Sequence, residues 1–400
     1  MRSRSQSGFT LIELLVTAFV LVLLVVGVLT MFDFASRMSR AQTQLANLQQ
    51  AQRIAQHELV RSVRMAGRGG VVPGAALIVR NDRPADDPIL TGGGSGVPRV
   101  AEHSDVVIVR GIFNGEIFQL DTSDPTAFTF DGTDSGTLTV RSLSPSGVPQ
   151  EVEQLEEVLT GDDKVPEALL VVSAVADSNY AVVELDPDMA PVLTEDNSTD
   201  PPTRIVTIGY RIANGENTAL YAGLTTTPLA DPRMRSVAYA GVLEEYRFYV
   251  REVAEAAGVP GSSRAPELAR ARVFPGTEVA YRNDPANLAL TIADNILDLQ
   301  ASFGIDVDGN GVVTEGETDA DKKNDEWGLN VAGDVPPAGA PGFVRLTTVA
   351  RSDRPDPQHE AEVLAAVEDR AYASDPLNTS RIERLYRRWP LQSLIDLRNL

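Results

Sequence analysis

Residues 306–317 place oxygen donors at the spacing of a calcium-binding loop. Acid or amide residues stand at positions one, three and five, with glycine at six and glutamate at twelve. Calcium takes about six to eight oxygen ligands, which this segment supplies from side chains and one backbone carbonyl. The predicted ligands are Asp306, Asp308, Asn310, the carbonyl of Val312, Thr314 through water, and a bidentate Glu317. The loop therefore predicts a structural Ca²⁺ site.

The alternative is an ordinary acidic turn, because aspartate, asparagine and glycine also dominate turns that bind no metal. The residues before the loop help to define the kind of site. Apolar side chains alternate there with polar ones, at Leu297, Leu299, Ala301, Phe303 and Ile305. Strict alternation predicts a strand, whereas a paired calcium sensor of this loop type has a helix before the loop. We therefore expect a calcium clamp rather than a switch.

Residues suited to catalysis are few. The chain has no cysteine, which excludes thiol nucleophiles, disulfides and thiolate metal sites. Its three histidines, His57, His103 and His359, are far apart in sequence and none lies in a recognised motif. Residues 92–97 lack the last glycine of a nucleophile elbow. We expect no enzymatic activity, and the alternative is an enzyme built on unrecognised residues.

The charge is divided unevenly along the chain. Its 35 basic and 56 acidic side chains give a formal net charge of −21 over 400 residues. Residues 1–70 contain eight arginines and three acids, a balance of +5, so the remainder carries −26. Because the body is this acidic, it should repel nucleic-acid phosphates. We therefore expect no non-specific nucleic-acid binding by the body.

The elements that must position these residues begin with a long helix. The segment 14–32 contains no charge in 19 residues, which is long enough for one membrane-spanning helix. Arg2 and Arg4 precede it and predict a cytoplasmic N-terminus. An apolar stripe at helical spacing then continues without proline or glycine until Gly67. We predict one retained helix of about 55 residues, ending at Gly67. A single-pass anchor with a coiled-coil stalk has the same pattern.

Glu13 lies inside the apolar run, where an ionisable side chain costs a few kcal/mol unless it is paired. With the surrounding Gly-Phe-Thr-Leu-Ile-Glu of residues 8–13, this resembles the class III signal of type IV pilins and pseudopilins. The resemblance implies cleavage between Gly8 and Phe9 by prepilin peptidase, and N-methylation of Phe9. It also implies that Glu13 pairs with the N-terminal amine of a neighbouring subunit during assembly.

The rest of the chain predicts an antiparallel sheet body. Short segments rich in β-branched and aromatic residues alternate with turn-forming ones. The predicted strands include 106–109, 137–140, 169–172, 181–183, 205–208, 246–250 and 344–349, and 358–372 is predicted as a surface helix. The predicted fold class is α+β, a long N-terminal helix packed on an antiparallel β-sheet with an enlarged β-rich body.

The predicted division of the chain follows from these elements. Residues 1–8 form the leader, 9–32 the transmembrane half of the helix and 33–67 its amphipathic half. Residues 71–400 form a body of one or two lobes that contains the calcium-type loop 306–317.

Two later segments, 295–306 and 395–400, resemble PilW-type minor pilins. The resemblance implies a minor type IV pilin that first spans the inner membrane once, with a periplasmic body, and then joins a pilus or its tip at the cell surface. Its implied partners are prepilin peptidase, other major and minor pilins, the inner-membrane assembly platform and the inner membrane. The alternatives are a minor pseudopilin of type II secretion and a membrane-anchored calcium-dependent adhesin or enzyme that does not polymerise.

Overall fold

The computed structural model describes most of the chain as one helix and a β-sheet body. The predicted α+β class is therefore confirmed. The described residues are 10–70, 76–83, 99–101, 103–132, 135–152, 168–175, 179–186, 189, 191–198, 202–212, 229–253, 265–273, 275, 289–307, 309–310, 313, 326–329, 341–357, 359–372, 381 and 383–397.

The helix α1 spans Leu11–Arg64, and Thr10 and Met65 are its caps. Arg61 and Arg64 lie in the last turn, where a positive charge interacts favourably with the helix dipole. The chain leaves the helix through a turn in which Gly67 has a φ of 75°, a conformation that suits glycine. The predicted single long helix is thus present, and it ends three residues before Gly67.

The strands of the described residues fall into three main sheets and one small hairpin, and every pair of strands is antiparallel. In chain order the strands are β1 (Leu77–Arg80), β2 (Arg99–Val100), β3 (Val106–Gly111), β4 (Phe118–Gln119), β5 (Phe128–Phe130), β6 (Ser135–Arg141), β7 (Ala168–Ser173), β8 (Tyr180–Leu185), β9 (Val192–Asp196), β10 (Thr203–Arg211), β11 (Val237–Val242), β12 (Glu244–Val253), β13 (Ala265–Val273), β14 (Leu290–Asp294), β15 (Ile296–Gly304), β16 (Trp327–Gly328), β17 (Phe343–Arg351), β18 (Ala366–Val367), β19 (Arg370–Ala371) and β20 (Arg388–Asp396). Two 3₁₀ helices span Pro232–Met234 and Glu383–Leu385. All seven predicted strand segments lie within observed strands.

The first sheet has the order β1-β3-β12-β13-β14, with β2 beside β12. The second sheet has eight strands in the order β4-β11-β7-β8-β10-β6-β5, with β9 beside β10. The third sheet has the order β16-β15-β17-β20, and β18 pairs with β19. Every strand of the second sheet comes from the chain between β3 and β12, which are neighbours in the first sheet. The second sheet is therefore a lobe inserted into the first.

Glu244 fixes the point where this inserted lobe leaves the first sheet. It is the first residue of β12 and is buried. Its Oε2 accepts hydrogen bonds from the backbone N–H groups of Phe113 (3.0 Å) and Asn114 (2.8 Å), and its Oε1 accepts one from the Tyr246 hydroxyl (3.0 Å). One carboxylate thus holds both the outgoing and the returning chain.

The C-terminal half of α1 covers the seam between the first and third sheets, where it packs against β14, β17 and β20. Its buried side chains recur at helical spacing and share one core with both sheets. They are Leu48, Gln52, Ala55, Gln56, Leu59, Ser62 and Val63. Gln52 Nε2 donates to the Thr348 carbonyl (2.7 Å), and Gln56 Nε2 donates to Thr348 Oγ1 (2.9 Å) and to the Leu391 carbonyl (3.0 Å).

The seam itself depends on one residue between strands and one buried acid. Asn295, with a φ of 60°, is the single residue between β14 and β15, so the chain changes sheet there. Asp105 accepts hydrogen bonds from the backbone N–H groups of Ala301 (2.8 Å) and Asp82 (3.0 Å) and so joins the two sheets. Burial raises the pKa of Asp105 well above its usual value, although both hydrogen bonds act in the opposite direction.

The strand predicted before the calcium-type loop is present as β15, and both of its faces are buried. Leu299, Ala301 and Phe303 face the core under the helix. Leu297 instead packs with Val367 and Tyr372 of the hairpin region, and Asp298 and Ser302 also bond groups there. The polar positions of the alternating pattern are therefore buried rather than solvated.

The surface helix predicted at 358–372 is wrong. Its described residues contain the hairpin β18–β19, which places charged side chains against the third sheet. Glu368, with a φ of 52°, pairs with Arg345 (2.6 Å), and Arg370 pairs with Asp298 (2.8 Å). Burial raises the pKa of Glu368, but hydrogen bonds from Ser302, Thr347 and Arg345 outweigh it and lower that pKa overall. These ion pairs with distant strands override the local preference of the mixed charges for a solvated helix.

Candidate functional site

The N-terminus of α1 carries Glu13, the residue on which the assembly prediction depends. Glu13 forms a capping box with Thr10. Its Oε2 accepts hydrogen bonds from the Thr10 backbone N–H (3.1 Å) and from the Thr10 hydroxyl (3.0 Å), and the Glu13 N–H donates to Thr10 Oγ1 (3.4 Å). The carboxylate is thus held at the very first turn of the helix.

Sequence reasoning missed Thr10, although the pattern of threonine followed three residues later by glutamate was available as a signal. The capping box matters because it turns the Glu13 carboxylate toward the backbone that leads to Phe9. Gly8 and Phe9, the predicted processing residues, lie outside the described residues. By sequence, the amine that cleavage would create belongs to the residue directly before Thr10.

The surface around Glu13 is apolar and exposed. Side chains of the first half of α1 are exposed, with Leu11 at 82%, Leu21 at 61% and Phe34 at 69%. This helix is long and apolar enough to cross a membrane, with a mean hydropathy of 2.9 in its most apolar window, of which none is buried. So large an exposed apolar surface needs lipid or other apolar helices around it.

The second predicted site, the calcium-type loop, lies only partly within the described residues. Asp306 and Asn310 are described, and the Asn310 backbone N–H donates to Asp306 Oδ1 (3.0 Å). This bond curls the start of the loop around the Asp306 carboxylate. The other predicted ligands, Asp308, Val312, Thr314 and Glu317, lie outside the described residues.

Two contacts close the base of this loop. The Ile305 backbone N–H donates to the Glu326 carbonyl (2.9 Å), and the Val307 N–H donates to Glu326 Oε1 (2.9 Å). Within the described part of the chain, no three His, Asp or Glu side chains come together as a metal site. The calcium site therefore stays a prediction, now with a defined attachment to β15.

The histidines of the described residues occupy three separate places. His57 is exposed on α1, as predicted for a surface residue of the helix. His103 Nδ1 lies 2.6 Å from Asp82 Oδ1, and the His359 backbone N–H bonds the Asp356 carbonyl (2.9 Å). The structure brings none of the three together with another.

Comparison with known sequence families identifies the N-terminal region. Residues 3–29 match the prokaryotic N-terminal methylation motif. The chain therefore carries a class III prepilin-type signal, which implies processing by prepilin peptidase and pilin assembly at the membrane. The motif and the exposed apolar helix together fit a membrane-anchored protein of the type IV pilin-like or pseudopilin-like class.

The match covers the signal and most of the uncharged run, and leaves the body without a family assignment. Comparison of the chain with curated proteins and with solved structures gives no significant match.

Proposed function

We propose that the protein is a minor type IV pilin of the PilW type, processed and N-methylated by prepilin peptidase and incorporated into a pilus or its tip. The observation that carries the proposal is the methylation motif placed on a helix with two different halves. The first half offers an apolar surface to lipid or to the helical core of a filament. The second half fixes the acidic body to that helix.

Glu13 is the assembly residue in this proposal. After cleavage, its carboxylate would lie next to a chain end that carries a new positive charge. In a bilayer or a filament core an unpaired carboxylate costs a few kcal/mol, so pairing with the amine of a neighbouring subunit favours assembly. Thr10 positions the carboxylate for this exchange, because it already holds it by two hydrogen bonds.

Processing gives the direct test. Intact-mass and N-terminal peptide analysis of the chain from its host should find methylated Phe9 as the first residue. The chain should also be recovered in sheared surface fibres. An N-terminus at Met1 in a host with active prepilin peptidase would contradict the proposal.

Two other functions share part of the signal. A minor pseudopilin of type II secretion would be processed in the same way but recovered with secretion components rather than with surface pili. A membrane-anchored adhesin or enzyme would remain unprocessed and would not polymerise. We propose no catalytic role for the chain, because the residues with catalytic potential belong to no recognised motif.

We also propose that the loop 306–317 binds a structural Ca²⁺. The full pattern of oxygen donors supports this, as does the bond that curls Asn310 toward Asp306 at the loop's start. A bound cation would offset the repulsion among the acids of the loop, and the contacts of Glu326 would transmit that order to β15. At about a hundredfold excess over its Kd, calcium would stabilise the body by about 2.7 kcal/mol.

The calcium test compares unfolding in chelator and in excess calcium. The wild type should melt at a higher temperature with calcium, and Asp306→Ala and Glu317→Ala should lose this increase. Glu315→Gln is the matched control, because it removes a charge from the same loop without removing a predicted ligand. An unchanged wild-type melting temperature, with no heat of binding in calorimetry, would leave the loop as an acidic turn.

A further inference from the structure

A line of three arginines and one histidine runs along the solvent side of the packed half of α1. Arg53, His57, Arg61 and Arg64 follow one another at intervals of four, four and three residues, and all four are exposed. We call these four residues the basic stripe. At about 1.5 Å per residue the stripe is roughly 16 Å long. Neither Arg53 nor Arg61 pairs with an acid of the described residues.

The stripe borders two grooves beside the helix. One groove, of about 550 Å³, lies between α1 and β20 and has an apolar floor of Val60, Met65 and Leu391. The other, of about 360 Å³, lies between α1 and β14 and contains Ile54 and Ile292. Arg53 and His57 line both grooves, so the two form one surface with a cationic ridge.

The helix itself does not require this pattern. Positive charge in the last turn interacts favourably with the helix dipole, and this interaction accounts for Arg61 and Arg64. That effect fades beyond the last turn, so it does not account for Arg53 or His57. The nearest acid on the helix, Glu58, is already paired with Arg270 (2.6 Å).

Binding to lipid headgroups does not account for the basic stripe either. Arg53 is 21 residues beyond Phe32, the last residue of the uncharged run. Along the helix axis this is about 30 Å past the apolar core of a membrane. The headgroup region extends only about 5–8 Å from that core. Arg37, about 8 Å past that core, is close enough to meet headgroups, whereas the basic stripe is not.

We propose that the basic stripe and its two grooves dock the acidic body of a second copy of this chain. The chain beyond residue 70 carries −26, so a second copy offers carboxylates to the arginines. The inference rests on the proposed function, because it describes how neighbouring subunits meet outside the membrane. At physiological salt the Debye length is about 8 Å, so the net negative charges of the two copies repel weakly at a distance, while local charge pairs still attract.

Nucleic acid is a less suitable occupant. Duplex DNA carries one charge per about 1.7 Å over its whole length, and a long polyanion would extend from the short stripe over the acidic body. The apolar floor of the larger groove also suits protein side chains better than phosphates.

The experiment uses the processed full-length chain in detergent. Because the chain has no cysteine, His57→Cys provides one attachment point for a photo-cross-linker, and cross-linked peptides identify the contact. Sedimentation on the chain without the cross-linker measures its self-association. The test variant is Arg53→Glu with Arg61→Glu. The matched control is Arg235→Glu with Arg381→Glu, which reverses two other exposed arginines and changes the net charge equally.

We expect cross-links from position 57 to acidic peptides of a second copy. Self-association should weaken about tenfold in the test variant, equivalent to about 1.4 kcal/mol, and change little in the control. It should also weaken between about 0.15 M and 1 M salt, where the Debye length falls to about 3 Å.

Several results would overturn this inference: no self-association, an equal loss in the control, no response to salt, or displacement of the second copy by a short DNA duplex. Processing is measured on the same samples. A processed wild type that fails to associate would reject the docking surface alone, whereas an unprocessed wild type would reject the proposed function.

Discussion

The two halves of α1 belong to one continuous helix and yet have opposite surroundings. From Leu11 to Met38 the large apolar side chains are exposed, and the half contributes nothing to the core of the body. From Leu48 to Val63 a narrow stripe of side chains is buried against strands of two sheets. The first half is apolar on all sides and suits an environment that changes from lipid to protein. The second is apolar on one side and suits a single fixed partner.

The polar residues of the two halves differ in the same way. In the first half, the Glu13 carboxylate bonds Thr10, its sole hydrogen-bond partner among the described residues and three residues away, so it can exchange partners without disturbing the body. In the second, Gln52 and Gln56 bond residues 296 and 335 positions away in sequence. The local hydrogen bonds of Glu13 can therefore be replaced without unfolding the body, whereas the long-range hydrogen bonds of Gln52 and Gln56 hold the helix on the sheets.

Replacing Glu13 should produce the largest effect. Glu13→Ala should still insert, be cleaved and fold, because neither the signal before Phe9 nor the body depends on its carboxylate. It should be almost absent from sheared fibres. Thr10→Val, which removes only the positioning hydroxyl, should assemble less well than wild type but better than Glu13→Ala. Normal recovery of Glu13→Ala in fibres would remove this residue from the assembly mechanism.

Matched truncations of leucine should separate the two halves. Leu59 is fully buried, so Leu59→Ala should destabilise the body by about 2–5 kcal/mol. Leu21 is 61% exposed, so Leu21→Ala should leave that stability unchanged. The measurement is denaturant unfolding of the full chain in detergent, followed by the fluorescence of Trp327 and Trp389. Equal effects of the two truncations would show that the halves are not independent.

Removing a glutamine should have a smaller effect on the packed half. Gln56→Ala deletes the donor to Thr348 and Leu391 and should cost about 1 kcal/mol of body stability. Gln49→Ala is the control, because it is an exposed glutamine on the same helix. The same unfolding assay applies, and equal stabilities of the two variants would mean that the hydrogen bonds of Gln56 add nothing.

An effect confined to one pH range concerns Asp105, the acid at the seam under the helix. Burial raises the pKa of Asp105 above its unfolded value of about 3.9, so the folded chain binds this proton more tightly. Its contribution to stability is therefore present at low pH and is lost as pH rises from about 4 through the raised pKa. Asp105→Asn should remove that part of the pH dependence.

The measurement is the difference in the free energy of unfolding between Asp105→Asn and wild type across this pH range. The difference cancels the carboxylates whose pKa is lowered, such as Asp124 and Asp231, which act in the opposite direction in both proteins. A constant difference would mean that Asp105 does not titrate in this range.

The helix and the β-type body were predictable because their signals are local. An uncharged run, a helical stripe and short β-branched segments each depend on near neighbours in sequence. The residues 358–372 show the limit of such reasoning. Their charges fit a solvated helix, but Glu368 and Arg370 are buried by pairing with Arg345 and Asp298, and no local pattern reveals those partners.

The candidate sites differ in the same respect. Glu13 could be singled out because a charge inside an apolar run is conspicuous, and Thr10 was overlooked although it stands three residues away. The basic stripe could not be recognised from sequence, since arginines on a helix are common. The basic stripe can be recognised only when the structure shows which side of α1 faces solvent and that Glu58 forms an ion pair with Arg270.

The placement of the second sheet between β3 and β12 has a consequence for the order of folding. Gly111 at the end of β3 pairs with Glu244 at the start of β12. If all the residues between them were unstructured, closing that loop would cost about 4 kcal/mol in chain entropy. The first and last strands of the inserted lobe, β4 and β11, are paired neighbours, so folding of the lobe by itself brings β3 and β12 together. Once the lobe has folded, its two ends lie together, and β3 and β12 of the first sheet can pair at little further entropic cost. We therefore expect the inserted lobe to form early in folding, before the strands of the first sheet that pack against the helix.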